Sequence, residues 1–89
     1  MSVWQLEVSA EAEEDIDKLD AVIRRRVLEK LEWLQSNFDN IIPLPLGNEW
    51  RGFFKLRVGD WRIIYEIDNA KLEITVHYID RRDKIYKRH

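Results

Sequence analysis

The sequence predicts a small α+β domain in which one strand and two helices precede a three-stranded antiparallel meander. Three patterns carry this prediction: a period-two apolar strand near the start, a helical apolar stripe after it, and a glycine-centred hairpin in the second half. The 89 residues can bury one core, and the absence of cysteine means that this core forms without disulfides. We therefore expect residues 1–89 to form a single domain.

The first half of the chain predicts one strand followed by two capped helices. In "VWQLEVS" the apolar side chains alternate, as in a half-buried strand. Ser9 and Asp20 are the expected N-caps of the two helices. The first helix carries its apolar stripe at Ala12, Ile16 and Leu19, and the second at Ile23, Val27, Leu31, Leu34 and Phe38. Residues 39–52, with both prolines and two of the three glycines, predict a connecting loop.

The segment "FFKLRVGDWRIIYEI" predicts a β-hairpin that turns at Gly59-Asp60, because glycine at the first turn position favours a type II′ turn. This turn fixes the register of the two strands, so that Arg57 lies opposite Arg62 and Lys55 opposite Ile64. The other side of the hairpin is apolar and consists of Phe54, Leu56, Val58, Trp61, Ile63 and Tyr65.

The side of the hairpin that carries the arginines is predicted to be cationic. Lys55 lies diagonal to the opposed Arg57 and Arg62, and a second turn at Asn69-Ala70 is expected to place His77 opposite Arg62. Like charges directly opposite each other destabilise a ladder by a few tenths to ~1 kcal/mol, which a purely structural sheet would avoid. The face is therefore either a phosphate-binding site or a solvated surface whose cations pair with acidic neighbours.

Charge is divided unevenly along the chain. Residues 1–49 contain 5 Lys and Arg against 11 Asp and Glu, whereas residues 50–89 contain 10 against 6. The basic second half suits a phosphate-bearing partner, and the acidic first half disfavours indiscriminate coating of nucleic acid. No GxxxxGK[ST], GxGxxG or clustered His/Cys spacing occurs, so we expect no cofactor and no metal. Without a signal-peptide pattern or a long apolar run, a cytoplasmic protein with no membrane contact is expected.

Two stretches, "LGNEWRGFFKLRVGDWRIIYEID" and "ITVHYIDRRDKIYKR", resemble the RelE/ParE superfamily of bacterial toxins from type II toxin–antitoxin systems. The resemblance spans nearly the whole chain, and its most specific parts are "KLRVGDWRIIYEI" and the Arg-x-x-x-Tyr of "RDKIY". It implies a RelE-like fold. Members of the RelE branch are similar in being ribosome-dependent endoribonucleases that cut mRNA, whereas ParE-like members inhibit DNA gyrase and generally lack the full cationic set.

The resemblance also implies site residues at the matching positions. The catalytic candidates are Lys55, Arg62, Arg82 and Tyr86, and the RNA-binding candidates are Arg57, Arg81 and His77. Strand alternation from His77 points Arg81 to the cationic face, whereas the Arg-x-x-x-Tyr spacing favours Arg82 as the catalytic arginine.

Some neighbouring positions depart from the family pattern or lie outside it. Phe53 stands where some relatives carry a second lysine, and Asp80 stands where many carry histidine. Lys87 and Arg88 lie beyond the Arg-x-x-x-Tyr spacing. We expect these last two cations to contribute little beyond general attraction to the ribosome.

The implied reaction is attack of the RNA 2′-OH on the adjacent phosphorus, which leaves a 2′,3′-cyclic phosphate and a 5′-OH without a metal. Arg57 and Arg62 would hold the non-bridging oxygens as charge builds up on them. Lys55, whose neutral form is favoured by neighbouring cations, would be the general base. Arg82 would stabilise or protonate the leaving 5′ oxygen, and Tyr86 would stack on or orient a base.

The partners implied by the resemblance are a cognate RelB-like antitoxin protein, the ribosome and mRNA, with operator DNA bound only through the antitoxin complex. The antitoxin is expected to cover the basic groove or the helical pair with an acidic or amphipathic segment. Two alternatives stay open. One is a ParE-like gyrase inhibitor, which would tolerate loss of Lys55 and Tyr86. The other is a non-catalytic DNA-binding or regulatory module, for which no helix with a coherent basic face is apparent.

Overall fold

The computed structural model describes residues 3–88, which form one five-stranded sheet with two helices packed on one of its faces. The strands are β1 (Gln5–Val8), β2 (Leu44–Gly47), β3 (Trp50–Val58), β4 (Trp61–Asp68) and β5 (Glu73–Arg81), the helices are α1 (Ala10–Asp17) and α2 (Ala21–Asn37), and the 3₁₀ turns are Phe38–Asn40 and Ile85–Lys87. The strand order is β1-β5-β4-β3-β2, with β1 parallel to β5 and the other neighbours antiparallel. This architecture confirms the predicted α+β class. Within residues 3–88, no helix is long and apolar enough to cross a membrane.

Both helices begin at the predicted caps. The Ser9 Oγ accepts a hydrogen bond from the Ala12 N–H at 3.1 Å, and the Asp20 Oδ1 accepts one from the Ile23 N–H at 3.0 Å. The two predicted stripes pack against the sheet, and their buried members are Ala12, Leu19, Val27, Leu31, Leu34 and Phe38. The hydrophobic periodicity therefore identified the faces that anchor the helices.

The end of α1 is closed by an arginine of α2. The Arg24 guanidinium donates hydrogen bonds to the carbonyl oxygens of Ile16, Asp17 and Leu19, at 3.1, 3.0 and 2.8 Å. Ile16 and Asp17 lie in the last turn of α1, where a helix leaves carbonyl groups without intrahelical partners, and Leu19 lies just beyond the helix. Arg24 thus fixes how the two helices join.

The loop predicted for residues 39–52 is wrong, because this stretch contains β2 and the start of β3. β2 lies at the edge of the sheet, where Pro45 is tolerated although it has no N–H. Gly47 and Asn48 take positive φ angles of 73° and 50° and turn the chain into β3. A strand of four residues with a proline and a glycine has the composition of a loop, so no apolar pattern marks it in the sequence.

The predicted register of the β3–β4 hairpin is confirmed. Arg57 lies opposite Arg62, and Lys55 lies opposite Ile64. Gly59 takes a φ of 57°, as the first central position of a type II′ turn requires. Because this turn is local in the sequence, it determined the pairing of both strands.

The turn between β4 and β5 is longer than the sequence predicts. Four residues separate Asp68 from its partner Glu73, whereas a turn at Asn69-Ala70 would pair Asp68 with Lys71. The Asp68 Oδ1 instead accepts a hydrogen bond from the Lys71 N–H at 3.1 Å, so Lys71 belongs to the turn. The register prediction for this hairpin is therefore wrong.

A β-bulge shifts the same pair of strands by one further residue. The shift lies between Ile64 and Tyr65 of β4, and His77 is the extra residue on β5. Asp80, not His77, consequently lies opposite Arg62. Between the bulge and the end of β5, the residues that face the helices and those that face away are therefore exchanged.

Both faces of the sheet carry buried apolar side chains. On the helix face, Ile63 and Tyr65 of β4 pack with the buried stripes of α1 and α2. The opposite face, which we call the site face, carries Phe53, Lys55, Arg57, Arg62, Ile64, Glu66, Tyr78 and Asp80. Ile64 was predicted to point to this side and does so, where it is fully buried in a small cluster with Trp50 and Ile85.

Candidate active site

Arg62 is a buried cation held by the backbone of a turn. The residue is 8% exposed, and its Nη1 donates hydrogen bonds to the carbonyl oxygens of Gly59 and Trp61, each at 2.9 Å. Among residues 3–88, no carboxylate forms an ion pair with it. Because an unpaired charge is costly to bury, this arrangement suits a site that receives an anion.

Two more arginines gather at the same turn. Arg57 lies directly across from Arg62, and the backbone N–H of Arg82 donates a hydrogen bond to the Asp60 carbonyl oxygen at 2.8 Å. The side chains of Arg57 and Arg82 are exposed. The structure therefore brings three of the predicted arginines to the Gly59-Asp60 end of the sheet.

Lys55 and Tyr86 line one open cleft of about 560 Å³. The cleft lies beside β2 and the turn into β3, and its other lining residues are Leu46, Gly47, Asn48, Glu49 and Trp50. The Tyr86 side chain is 46% exposed, so its ring is accessible to a ligand. Lys55 is half-buried, next to Arg57 along the site face.

The turn that carries Tyr86 is fixed by one apolar side chain. Ile85 is fully buried and packs with Ile64 and Trp50. Since Tyr86 follows Ile85 directly in a 3₁₀ turn, burial of the isoleucine leaves the tyrosine at the surface of the cleft. An aliphatic residue in the strongly charged run "DRRDKIYKRH" is the sequence signal that could have identified this anchor.

Trp50 is part of the site that the sequence analysis missed. Counting back from Lys55 by strand alternation would place Trp50 on the helix face. Gly52 has a φ of 89° and interrupts the alternation, so that Trp50 packs under the site face instead. No local sequence pattern indicates this irregularity.

Arg88 anchors the tail by ion pairs, although it lies beyond the Arg-x-x-x-Tyr spacing. Its guanidinium contacts the carboxylates of Glu11, Asp15 and Asp80. Burial by itself would lower the pKa of Arg88, but hydrogen bonds to Asp15 and Glu11, together with the negative charges of Asp15 and Asp80, raise that pKa above its ordinary value. The sequence did not predict these contacts, which give Arg88 a structural role in addition to general electrostatic attraction.

Two of the predicted RNA-binding residues lie elsewhere. The His77 Nε2 is 2.5 Å from Glu66 Oε1. Glu66 lies four residues from Arg62 on β4, which corresponds to roughly 13 Å along the strand. The bulge turns Arg81 to the helix face, where its guanidinium carbon lies 5.9 Å from the centre of the Trp61 ring. Arg81 therefore does not point to the cationic face, contrary to the prediction from strand alternation. The structure brings neither His77 nor Arg81 to the three arginines.

The site face offers cationic donors and an accessible aromatic ring. Within the described part of the chain, no group of three or more His, Cys, Asp or Glu side chains is arranged to hold a metal ion. Guanidinium groups bind phosphate oxygens through paired N–H donors, and an exposed tyrosine can stack on a base. The arrangement can therefore hold a phosphate at Arg62 and a base at Tyr86.

Comparisons with known proteins agree with this architecture. A family model described as "ParE toxin of type II toxin-antitoxin system, parDE" matches residues 6–86. A Mycobacterium tuberculosis protein named Toxin RelE is 26% identical over 84 residues, which cover 94% of this chain and 87% of that protein.

Solved structures share the fold. The toxin–antitoxin complex RelBE2 from Mycobacterium tuberculosis matches with a TM-score of 0.79 and 26% identity, covering 89% of this chain and 98% of that chain. The isolated RelE toxin of E. coli matches with a TM-score of 0.73 and 17% identity, covering 94% and 92% of the two chains. The RelE–RelB complex from Pyrococcus horikoshii matches with a TM-score of 0.71 and 20% identity, covering 92% and 97%.

Fold and family together define the class of the protein, which is a toxin of a type II toxin–antitoxin system. Within that class, the chain belongs to the ParE toxin family of the RelE/ParE superfamily.

Proposed function

We propose that this toxin is a ribosome-dependent endoribonuclease that cleaves mRNA and stops translation in the cytoplasm. The observation that carries the proposal is Arg62, a buried guanidinium that two backbone carbonyl groups hold and that has no carboxylate partner among the described residues. Burying such a charge lowers stability unless an anion completes the site. Arg57 lies directly opposite Arg62, Lys55 lies two residues from Arg57 along β3 on the same face, and Lys55 shares a cleft with Tyr86.

In the proposed reaction, Lys55 accepts the proton of the RNA 2′-OH, whose oxygen attacks the adjacent phosphorus. The P–O5′ bond breaks, a 2′,3′-cyclic phosphate forms, and O5′ takes a proton from solvent to become the 5′-OH. Arg57 and Arg62 hold the non-bridging oxygens as negative charge grows on them. Arg82 stabilises the departing O5′ by its charge, since a guanidinium does not readily give up a proton. Tyr86 stacks on a neighbouring base.

The ribosome is part of the proposal because the free site is open. The side chains of Arg57, Arg82 and Tyr86 are exposed, so the toxin by itself fixes the RNA poorly. Holding the reacting groups in line contributes a large part of the rate in such reactions. The decoding site, which already orients mRNA, would supply this positioning, and the isolated toxin should be a poor nuclease.

Arg62→Ala tests the proposal with purified toxin and mRNA on programmed ribosomes. Cleavage should slow by ~10²-fold or more, as expected when a stabiliser of transition-state charge is removed. The free energy of unfolding should change little, because the lost hydrogen bonds are offset by relief of the repulsion from Arg57. Arg25→Ala, which removes an exposed cation of α2, is the control and should cleave at the parental rate. A parental rate for Arg62→Ala, or a loss of rate explained by unfolding, would refute the proposed role.

Inhibition of DNA gyrase is the second candidate, and the description of the matching family as ParE favours it. A gyrase inhibitor works by binding and should tolerate loss of Lys55 or Tyr86. The same purified variants should therefore be added to a gyrase supercoiling assay and to a translation assay. If Lys55→Ala and Tyr86→Ala both inhibit supercoiling while the parental toxin leaves translation intact, gyrase is the target and the nuclease proposal is wrong.

We also propose a cognate RelB-like antitoxin as partner, with operator DNA bound only through their complex. The related Mycobacterium tuberculosis and Pyrococcus horikoshii structures are toxin–antitoxin complexes. On this chain β2 pairs with β3 only as far as Lys55, which leaves a groove between α2 and the edge of β3, the α2–β3 groove. Its cations are Arg26, Lys30, Lys55 and Arg57, its acid is Glu29, and its exposed apolar side chains are Trp33, Ile42 and Leu44. An acidic amphipathic segment suits this combination.

A further inference from the structure

Asp80 is the acid best placed to neutralise Arg62. The two residues are directly opposite each other on β5 and β4, and both side chains belong to the site face. Opposite charges in such a pair normally attract each other. The Arg62 Nη1 nevertheless donates to two carbonyl oxygens of the turn, and the two side chains form no ion pair.

The Asp80 carboxylate is occupied at both of its oxygens. Its Oδ1 accepts a hydrogen bond from the Arg81 N–H at 2.8 Å, and its Oδ2 accepts one from the Arg88 Nη1 at 3.4 Å. The Arg88 guanidinium is itself held, because it donates to Asp15 Oδ2 at 2.8 Å and to Glu11 Oε2 at 2.9 Å. It also lies 4.8 Å from the centre of the Tyr78 ring, on the strand that carries Asp80.

We infer that Arg88 is a positioning residue that keeps the Asp80 carboxylate away from Arg62, so that the Arg62 charge stays available to a phosphate. A carboxylate and a phosphate bind the same guanidinium donors, so an Asp80 side chain turned towards Arg62 would compete with the ligand. It would also repel the ligand, because both are anions at close range. The inference rests on the proposed function for the identity of the ligand as an RNA phosphate.

A simple anchoring role for Arg88 makes a different prediction. Burial of Ile85 against Ile64 and Trp50 already attaches the tail to the site face. If Arg88 served only as a second anchor, its loss would displace Tyr86, and the charge of Asp80 would not matter. If Arg88 restrains Asp80, neutralising Asp80 should restore what loss of Arg88 removes.

The experiment compares four variants with the parental toxin on programmed ribosomes: Arg88→Ala, Asp80→Asn, the double variant, and Lys87→Ala as the control for loss of a neighbouring exposed cation. Arg88→Ala should lower kcat/KM for mRNA cleavage by at least 10-fold. Asp80→Asn should not lower it, and the double variant should recover to within about threefold of the parental value. Lys87→Ala should remain near the parental value. If Arg88→Ala does not fold, Arg88→Gln replaces it, because glutamine is neutral but keeps part of the aliphatic stem over Tyr78.

A second readout separates this inference from the nuclease proposal. Inorganic phosphate is titrated into each protein, and the Arg62 Nε–Hε signal is followed by NMR. Phosphate affinity at Arg62 should fall in Arg88→Ala and return in the double variant, even if the parental toxin proves not to cleave RNA. Equal phosphate affinity in Arg88→Ala and Lys87→Ala would overturn the inference, and so would a loss that Asp80→Asn does not restore.

Discussion

At the scale of single residues, three neighbours on β4 are buried for different reasons. Arg62 is a charge held at a turn, Ile63 packs under the helices, and Ile64 packs under the C-terminal tail. A sheet covered on one face would bury only every second residue. Because both faces of β4 are covered here, adjacent substitutions should have different effects. Ile63→Ala should lower stability, whereas Arg62→Ala should lower activity.

Ile63→Ala should reduce the free energy of unfolding by ~2–5 kcal/mol, since it leaves a cavity among the side chains beneath the helices. Such a loss is a large part of the stability of a small domain. Ile42→Ala is the matched control, because Ile42 is 88% exposed, and it should change stability by less than ~0.5 kcal/mol. Urea unfolding measures both. Equal stabilities would mean that Ile63 does not lie in the core.

Tyr65 should make the protein less stable in alkali. Burial raises the pKa of Tyr65 to about 12, whereas an unfolded tyrosine has a pKa of about 10. Between these values the folded state keeps the proton that the unfolded state has lost, so stability falls as pH rises from about 10 to about 12. The contribution is at most roughly 2–3 kcal/mol.

Tyr65→Phe keeps the ring that stacks on Phe54 and removes the ionisable group. Urea unfolding at a series of alkaline pH values should therefore show a shallower decline for Tyr65→Phe than for the parental protein. Identical slopes would show that the Tyr65 phenol ionises equally in both states.

At the scale of elements, prediction succeeded where the controlling residues are close in sequence. Gly59 fixed the β3–β4 register within its own turn, and Ser9 and Asp20 marked the helix starts. The predicted β4–β5 register was wrong because the turn contains four residues instead of two and because nothing local marks His77 as a bulge. The hydrogen bonds of Arg88 could not be predicted because its partners on α1 lie 73 and 77 residues away in the sequence.

Arg24→Ala should destabilise the junction of α1 and α2. The variant loses the hydrogen bonds to three carbonyl groups at the end of α1, and a cost of ~1–3 kcal/mol is expected from the loss of charge-assisted bonds. Arg25→Ala removes the neighbouring exposed charge and should be nearly neutral. Thermal unfolding of the two variants checks the difference, and equal melting temperatures would exclude a capping role for Arg24.

At the scale of the whole molecule, the acidic and basic halves of the chain meet at the tail. The helical half supplies Glu11 and Asp15, which hold Arg88. The sheet half keeps Arg57 and Arg62 free of such partners among the described residues. The net charge of the protein therefore does not indicate how its charges are arranged, because Glu11 and Asp15 organise one end of a cationic face.

Trp33→Glu should weaken binding of the cognate antitoxin. The substitution puts a charge on an exposed aromatic side chain of the α2–β3 groove, and truncating an aromatic anchor at an interface commonly costs at least ~2 kcal/mol. Val22→Glu alters another exposed apolar residue of α2 that does not line the groove, and it should bind like the parental toxin. Calorimetric titration with the antitoxin measures both affinities. Equal binding by the two variants would place the antitoxin on a different surface.

The burial of Ile85 has a consequence for how the toxin is made. Synthesis reaches residues 85–88 after every other residue that builds the site. A nascent or truncated chain that stops before Ile85 keeps Arg62 but lacks Tyr86, and it leaves the apolar surface of Ile64 and Trp50 uncovered. Such a fragment should be readily degraded, and if the toxin is the proposed nuclease, it should be inactive, so that an unfinished toxin spares the ribosome that is still translating it.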